Sequence, residues 1–243
     1  MLTSVTDTMP DLPIPHIENT MMLKQLATLS GALLLANAAH AQIGVTADLG
    51  TTGAGFHVVV PMESNLNGRF GANYFKHDFD RTTNGVDYAI KGKLQTFDVL
   101  FDWYLREGSP FHLTAGLVYN GNRFDARAKG NQLGKITLNG TTYTTTDVGD
   151  LTGRIDYRKA APYLGVGWGN ALKNNSNWSF STDLGLFYQG KPNVDLASVG
   201  CTTSKAVCDA LVKDVAAERL RLQDDADSLK VYPVLRASLN YRF

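Results

Sequence analysis

Residues 231–243 alternate between an apolar face and a face that carries polar side chains. The apolar face consists of Val231, Pro233, Leu235, Ala237, Leu239, Tyr241 and Phe243, and the opposite face of Tyr232, Val234, Arg236, Ser238, Asn240 and Arg242. A period of two predicts a β-strand. Because one face is apolar and the other carries Arg and Asn, the strand suits a transmembrane β-barrel, with lipid outside and polar side chains inside.

Seven earlier segments show the same alternation. They lie at residues 43–49, 56–60, 66–77, 97–105, 111–119, 162–168 and 178–188, and Asn84-Gly85 predicts a tight turn before the fourth strand. Short turns at 63–65, 107–110 and 173–177 alternate with longer connections, as periplasmic turns and extracellular loops do. The chain is therefore predicted to be all-β, a transmembrane antiparallel up-and-down barrel of eight strands with both termini in the periplasm.

The N-terminal part has the features of a secretory signal peptide. Lys24 precedes an apolar stretch at 26–36 and the small-x-small sequence Ala39-His40-Ala41, which predicts cleavage after Ala41. Met21 or Met22 is the predicted start, because the first twenty residues lack a basic character. Residues 1–41 are thus predicted to be an extension plus signal peptide, and residues 42–243 a single barrel domain in the outer membrane.

Composition narrows the possible functions. The chain has 23 basic and 23 acidic residues and a net charge of zero, which argues against nucleic acid as a partner. No run approaches the roughly 20 apolar residues that a spanning helix needs. A mean hydropathy of −0.15 agrees with strands that have one wet face.

The predicted inner face carries ten charged or titratable side chains. These predicted lumen-lining residues are Asp48, His57, Arg69, His77, Asp98, Asp102, His112, Asp183, Arg236 and Arg242. Eight strands leave a lumen just wide enough for side chains, so the charges are expected either to pair or to line a conduction path. Inward-facing glycines at 44, 71, 116, 165, 167, 169 and 185 predict room for water or a slim solute.

The outer face predicts how the barrel meets lipid. All three tryptophans fall beside predicted periplasmic turns, where an aromatic girdle is expected. The predicted girdle comprises Trp103, Trp168, Trp178, Tyr241 and Phe243. Outer-membrane lipid and lipopolysaccharide are the expected partners of this surface.

The two long loops have their own patterns. Residues 135–144 predict a hairpin about Asn139-Gly140 that extends strands five and six above the membrane. Residues 206–222 have a helical period, with Val207, Leu211 and Val215 four apart. This short helix is predicted to be a cap on the barrel mouth or, alternatively, a gate or plug. Cys201 and Cys208 are expected to form a disulfide, since no His lies nearby to complete a metal site.

Hydrolytic chemistry has little support in the sequence. A serine nucleophile needs a His within hydrogen-bond reach and a carboxylate that orients it. None of His57, His77 and His112 has a Ser beside it on the same strand face. We therefore expect no enzyme activity, no catalytic residue, no metal and no cofactor.

Three segments carry a resemblance to a known family. Residues 161–169 (APYLGVGWG), 183–190 (DLGLFYQG) and 232–243 (YPVLRASLNYRF) resemble the closing strands of small proteobacterial outer-membrane barrels. The nearest are the CarO-type ornithine-uptake porins, with OmpW-like channels more distant. The terminal Tyr-Arg-Phe243 resembles the signal that the barrel-assembly machinery recognises, which makes that machinery an expected partner.

The resemblance implies a passive channel or porin for a small solute, although no binding residue of that family matches a position here. Two alternatives are a closed structural or surface-interaction barrel that acts through its extracellular loops and, third, a lipid-modifying enzyme.

Overall fold

The computed structural model describes residues 42–83, 86–130, 134–173 and 176–243. The predicted signal peptide, the start at Met21 or Met22 and the Asn84-Gly85 turn lie outside these residues.

The described residues form thirteen strands and two helices. The strands are β1 Gly44–Gly50, β2 Gly53–Glu63, β3 Leu66–Thr83, β4 Val86–Tyr104, β5 Phe111–Asn120, β6 Arg123–Gly130, β7 Lys135–Leu138, β8 Thr141–Thr144, β9 Asp150–Asp156, β10 Ala160–Trp168, β11 Trp178–Tyr188, β12 Asn193–Val199 and β13 Val231–Arg242. The helices are α1 Thr145–Val148 and α2 Lys205–Ala226. Within the described ranges, neither helix has the length and apolar character needed to cross a membrane.

Eight strands close into a ring. Their order is β1-β2-β3-β4-β5-β10-β11-β13, every neighbouring pair is antiparallel, and β13 pairs with β1 to complete the circle. These are the eight predicted strands, so the predicted barrel is confirmed. Closure leaves no free edge, which satisfies every ladder hydrogen bond without water.

The two faces of the ring have the polarity that the alternation predicts. Outward side chains such as Phe180 and Leu235 are 77% and 59% exposed, while the inward Asn240 and His57 are both 0% exposed. The start of β1, the end of β13 and the described residues of the three short turns lie at one end, here called the turn end. The five predicted girdle residues lie at this end, where the ring of Tyr241 stands 4.8 Å from that of Trp178 and 5.0 Å from that of Phe243.

The same sheet continues beyond the opposite, loop end of the ring. Residues 96–104 of β4 pair with β5, whereas residues 87–93 pair with β6, and β9 and β12 follow in the order β4-β6-β9-β12. We call the upper parts of β3 and β4 with β6, β9 and β12 the sheet extension. The chain turns from β5 into β6 at Gly121, whose N–H donates to the carbonyl of Gln95 at 2.8 Å.

The predicted 135–144 hairpin forms, but its predicted position is wrong. Strands β7 and β8 make a separate two-stranded sheet, and β6 and β9 continue above the ring instead. The turn is as predicted, since Asn139 and Gly140 both adopt positive φ, 49° and 81°. The hairpin differs in position because its apolar side chains have a core of their own to join.

That core belongs to a unit we call the cap, formed by β7, β8, α1 and α2 against one face of the sheet extension. The buried residues of this core are Ile136, Leu138, Tyr143, Val148, Leu211 and Val215 from the cap and Leu151 from β9. The predicted helix is confirmed and longer than expected, with Ser204 as its N-cap. Its apolar residues Leu211 and Val215 pack into the core shared with the hairpin and the sheet extension. The helix therefore covers the sheet extension, whereas the sequence predicted a cap on the barrel mouth.

The predicted disulfide is also confirmed, because Cys201 and Cys208 are bonded to each other. It joins the segment after β12 to the first turn of α2. Cys201 also packs against the cap core. The bond therefore anchors the start of α2 to the sheet extension.

Replacing both cysteines by serine should loosen the start of α2 and leave the ring intact. A bond across such a short loop is expected to stabilise the cap by about 2 kcal/mol. We expect trypsin to cleave after Lys205 several times faster in the variant, while the heat-modifiable mobility of the folded barrel in electrophoresis stays unchanged. Equal cleavage rates in the variant, the wild type and the reduced wild type would contradict this role.

Candidate functional site: the barrel lumen

The lumen brings together eight of the ten predicted lining residues. These eight are all below 5% exposed: Asp48, His57, Arg69, Asp98, Asp102, His112, Asp183 and Arg236. They come from seven of the eight ring strands, and the alternation directs each inward. The ring thus gathers into one layer residues that are far apart in sequence.

One cluster is centred on His57. Its Nδ1 contacts a carboxylate oxygen of Asp48, and its Nε2 lies 3.1 Å from Oδ2 of Asp98. Arg236 donates to the same Asp98 oxygen at 2.7 Å, and the hydroxyl of Ser238 donates to Asp48. Both ring nitrogens of His57 therefore face carboxylates.

The second cluster is centred on Arg69. Its guanidinium donates two hydrogen bonds to Asp183, at 2.8 and 3.0 Å, and a third to Asp102 at 3.1 Å. His112 Nε2 lies 3.2 Å from Asp183, and the hydroxyl of Thr114 donates to Asp102 at 2.8 Å. The two clusters therefore pair all four of their carboxylates with a cation or a hydrogen-bond donor, as burial requires.

Glycines on the inner face create the space that these side chains occupy. A Cβ at Gly71 would come within 2.4 Å of the His57 ring, and one at Gly167 within 2.2 Å of His112 Nε2. A Cβ at Gly185 would meet the Tyr163 hydroxyl at 2.3 Å. The predicted room for a slim solute is therefore absent at these positions, because a large side chain from the adjacent strand lies over each glycine.

An apolar layer crosses the lumen on the loop side of the charges. Leu100, Val118, Tyr163, Phe187 and Val234 form one buried cluster there, with Ala161. Sequence reasoning missed this layer as a functional feature. The sequence nevertheless contains the information, because these large apolar residues occupy the inward-facing positions of their alternating strands.

The turn end is closed as well. Val59 packs with Ala171 and Leu172 from the β10–β11 turn. Between this group and the charged layer, the cavity lined by Thr46, Arg69 and His112 has a volume of only about 10 Å³. This is the space of roughly one water molecule.

Two predicted lining residues lie elsewhere. His77 is exposed on the part of β3 that extends above the closed ring, where it stacks between Phe75 and Phe79. Arg242 is half-buried at the turn end, and its Nη1 donates to the Leu172 carbonyl at 2.8 Å. The alternation along β3 directs His77 inward, as predicted. At that height, however, the described ring strands no longer surround β3, so the side chain meets solvent.

Asp102, His112 and Asp183 bring three potential metal-ligand atoms within 4.8 Å of one another. However, Arg69 donates to both carboxylates of this group. A guanidinium in that position repels a cation and uses the lone pairs that a metal would need. The geometry is that of an ion-pair network.

Outside the membrane-spanning strands, several hydrogen bonds connect the hairpin to α2. The Tyr143 hydroxyl donates to Asp214 at 2.6 Å, and Asn139 Nδ2 donates to the same carboxylate at 3.1 Å. Burial, together with the Asp214 charge, raises the pKa of Tyr143 to about 12. The hydrogen bonds from Tyr143 and Asn139 hold the pKa of Asp214 below its usual value. The cap is therefore joined by an ionised carboxylate at neutral pH.

No family model matches the sequence, and no curated protein is significantly similar to it. The structure is similar to the crystal structure of CarO from Acinetobacter baumannii, with 24% identity, a TM-score of 0.53, and coverage of 82% of this chain and 97% of that chain. CarO2 from the same organism shows 21% identity and a TM-score of 0.55, over 83% of this chain and 98% of that chain.

The chain has the fold of a bacterial outer-membrane β-barrel. This confirms the expected fold and outer-membrane location. Because outer-membrane barrels have short periplasmic turns and longer extracellular loops, we infer that the turn end is periplasmic and that the sheet extension and cap are extracellular. A major outer membrane protein from Thermus thermophilus is also similar, at 17% identity over 84% of this chain and 100% of that chain, but its TM-score of 0.41 carries no weight here.

Replacing Arg236 by Met should destabilise the barrel strongly. The substitution leaves Asp98 buried without its guanidinium, and removing one partner of a buried ion pair costs about 3–5 kcal/mol. Arg242→Met is the matched control, because Arg242 is half-buried and its substitution should cost about 1 kcal/mol. Urea unfolding of both variants in lipid vesicles measures the difference. Equal unfolding midpoints for the two variants would show that the pairing does not hold the lumen together.

Proposed function

We propose that this outer-membrane barrel is a closed structural barrel that holds an extracellular surface-interaction unit. The observation that carries the proposal is the filled lumen, in which a layer of paired charges and, on its loop side, an apolar layer fill the narrow interior. Each layer is built from strand residues alone. A solute would have to break buried ion pairs and displace the Tyr163 and Phe187 rings.

The extracellular part supports the second half of the proposal. The cap has its own buried core and a disulfide, so it is built as a rigid unit and not as a mobile loop. It rests on a sheet that continues two ring strands without interruption. A rigid unit held above the membrane by continuous strands is suited to contacts with partners at the cell surface.

A passive channel for small solutes is the second candidate. The specific observation in its favour is that Nε of Arg69 and both Nε and Nη1 of Arg236 have no protein partner. These buried donors are suited to bind water, so an occasional water file could form along them. Conduction would then require the apolar layer to open transiently.

We propose no catalytic function. His57 has carboxylates at both ring nitrogens, and His112 has Asp183 at Nε2 and the Pro110 carbonyl 3.4 Å from Nδ1. Ser238 directs its hydroxyl to Asp48 and not to a histidine. The geometry therefore leaves neither imidazole free to take a proton from a serine nucleophile.

Residues 42–243, refolded in a planar bilayer, should show no reproducible conductance steps. Deleting β12 and α2 should not change this result, because the occluding layers belong to the ring strands. The matched variant replaces residues 192–228 by a short Gly-Ser turn, which joins β11 to β13 directly. An open porin refolded by the same procedure serves as the positive control for insertion.

Steps in the wild-type protein whose ion selectivity changes in Asp102→Ala would refute the closed barrel and favour the channel. Steps that appear only after the 192–228 deletion would instead make the segment that carries β12 and α2 a gate.

A further inference from the structure

Three cations lie side by side on the outer face of the sheet extension, just above the membrane. Lys76 on β3 is directly opposite Lys93 on β4, and Lys93 is directly opposite Arg123 on β6. Like charges in directly opposed positions of an antiparallel pair are destabilising. We call Lys76, Lys93 and Arg123 the basic row.

The next row of directly opposed residues, on the side away from the membrane, has charges of alternating sign. Its five members alternate in sign across five strands: Asp78, Lys91, Asp125, Arg154 and Asp195. Within it, Arg154 forms an ion pair with Asp125 at 2.7 Å. The basic row departs from this alternation across β3, β4 and β6, and in the described strand pairs only its Arg123 is opposite a carboxylate, Asp156 on β9. The repulsion between its lysines is therefore not a general property of the sheet.

Most of the positive charge in the basic row is unpaired. In the part of the chain that the structure describes, neither Lys76 nor Lys93 forms a salt bridge, and Lys93 Nζ lies 5.9 Å above the Tyr74 ring. Arg123 uses its Nε on Asp125, at 2.8 Å, and 45% of its side chain is exposed. The row thus presents unneutralised ammonium groups and the remaining N–H groups of a guanidinium.

The height of the row identifies what it faces. Tyr74 and Phe97 are outward aromatic residues at the upper limit of the lipid-facing belt. Lys76 follows Tyr74 by two residues, about 7 Å along the strand. This level is that of the polar groups of the outer leaflet, and the tyrosine below is typical of a membrane interface. In the outer leaflet of this membrane, the anionic group at that depth is a lipid A phosphate.

We infer that the basic row binds a phosphate of lipid A. A phosphate is a multivalent acceptor that can bridge adjacent ammonium groups and pair with a guanidinium. It would convert the repulsion between Lys76 and Lys93 into shared attraction. The inference goes beyond the proposed function, since it depends on the outer face and not on whether the lumen conducts.

The binding test uses native mass spectrometry of the refolded barrel in detergent, titrated with bis-phosphorylated lipid A. In the double variant Lys76→Ser/Lys93→Ser we expect at least a fivefold loss of bound lipid A. Lys91→Ser is the matched control, because it lies one row above on the same strand and face, and it should bind as the wild type does. Dephosphorylated lipid A is the ligand control. Its binding to the wild type should be as weak as the binding of phosphorylated lipid A to the double variant.

Thermal unfolding separates a binding role from a structural one. Without lipid A, Lys76→Ser should unfold at the wild-type temperature or above it, since one like-charge neighbour is gone. With lipid A, the wild type should gain thermal stability and the variant should gain less, while Lys76→Arg restores the gain. Equal lipid A binding by wild type and double variant, or equal stabilisation by millimolar inorganic phosphate alone, would overturn the inference.

Discussion

Closure of eight antiparallel strands is the constraint on which the rest of this structure depends. Lipid cannot accept or donate hydrogen bonds, so the pairing of β13 with β1 is required for the backbone to cross the membrane at all. The number of strands in turn limits the lumen to a section that side chains can fill. Every inward charge is then removed from bulk water and needs a partner on another strand.

The lumen meets that demand with two charged clusters and with glycines placed beneath the largest side chains. His57 and Arg69 each join carboxylates from two strands, so the clusters also connect strands that are not neighbours in the ring. The same side chains that balance charge therefore fill volume. The packing that stabilises the barrel is thus the same packing that closes the lumen. Charged residues alone would also fit an open channel, so the filled lumen is the better guide to function.

Above the membrane the physical situation is reversed, because water can satisfy the sheet edges and open strands are allowed. Strands β3 and β4 continue past the ring, and β6, β9 and β12 add to them as an open sheet. One face of this sheet is covered by the cap, and the other remains polar. The position of the basic row follows from this change of surroundings, since it lies where the lipid-facing surface becomes a wet one.

The sequence by itself determined the eight ring strands, the polarity of their faces, the Asn139-Gly140 turn, the helix around Val207, Leu211 and Val215, and the disulfide. These features depend on local periodicity, turn chemistry and a short separation between cysteines, which a single chain displays directly. Only the tertiary structure decided which charges pair, that Tyr163 and Phe187 occlude the lumen, and that His77 lies above the ring. It also decided that β6, β9 and β12 join β4 and that the hairpin belongs to the cap. Those outcomes depend on register between strands far apart in sequence, and alternation within one strand carries no information about its partner.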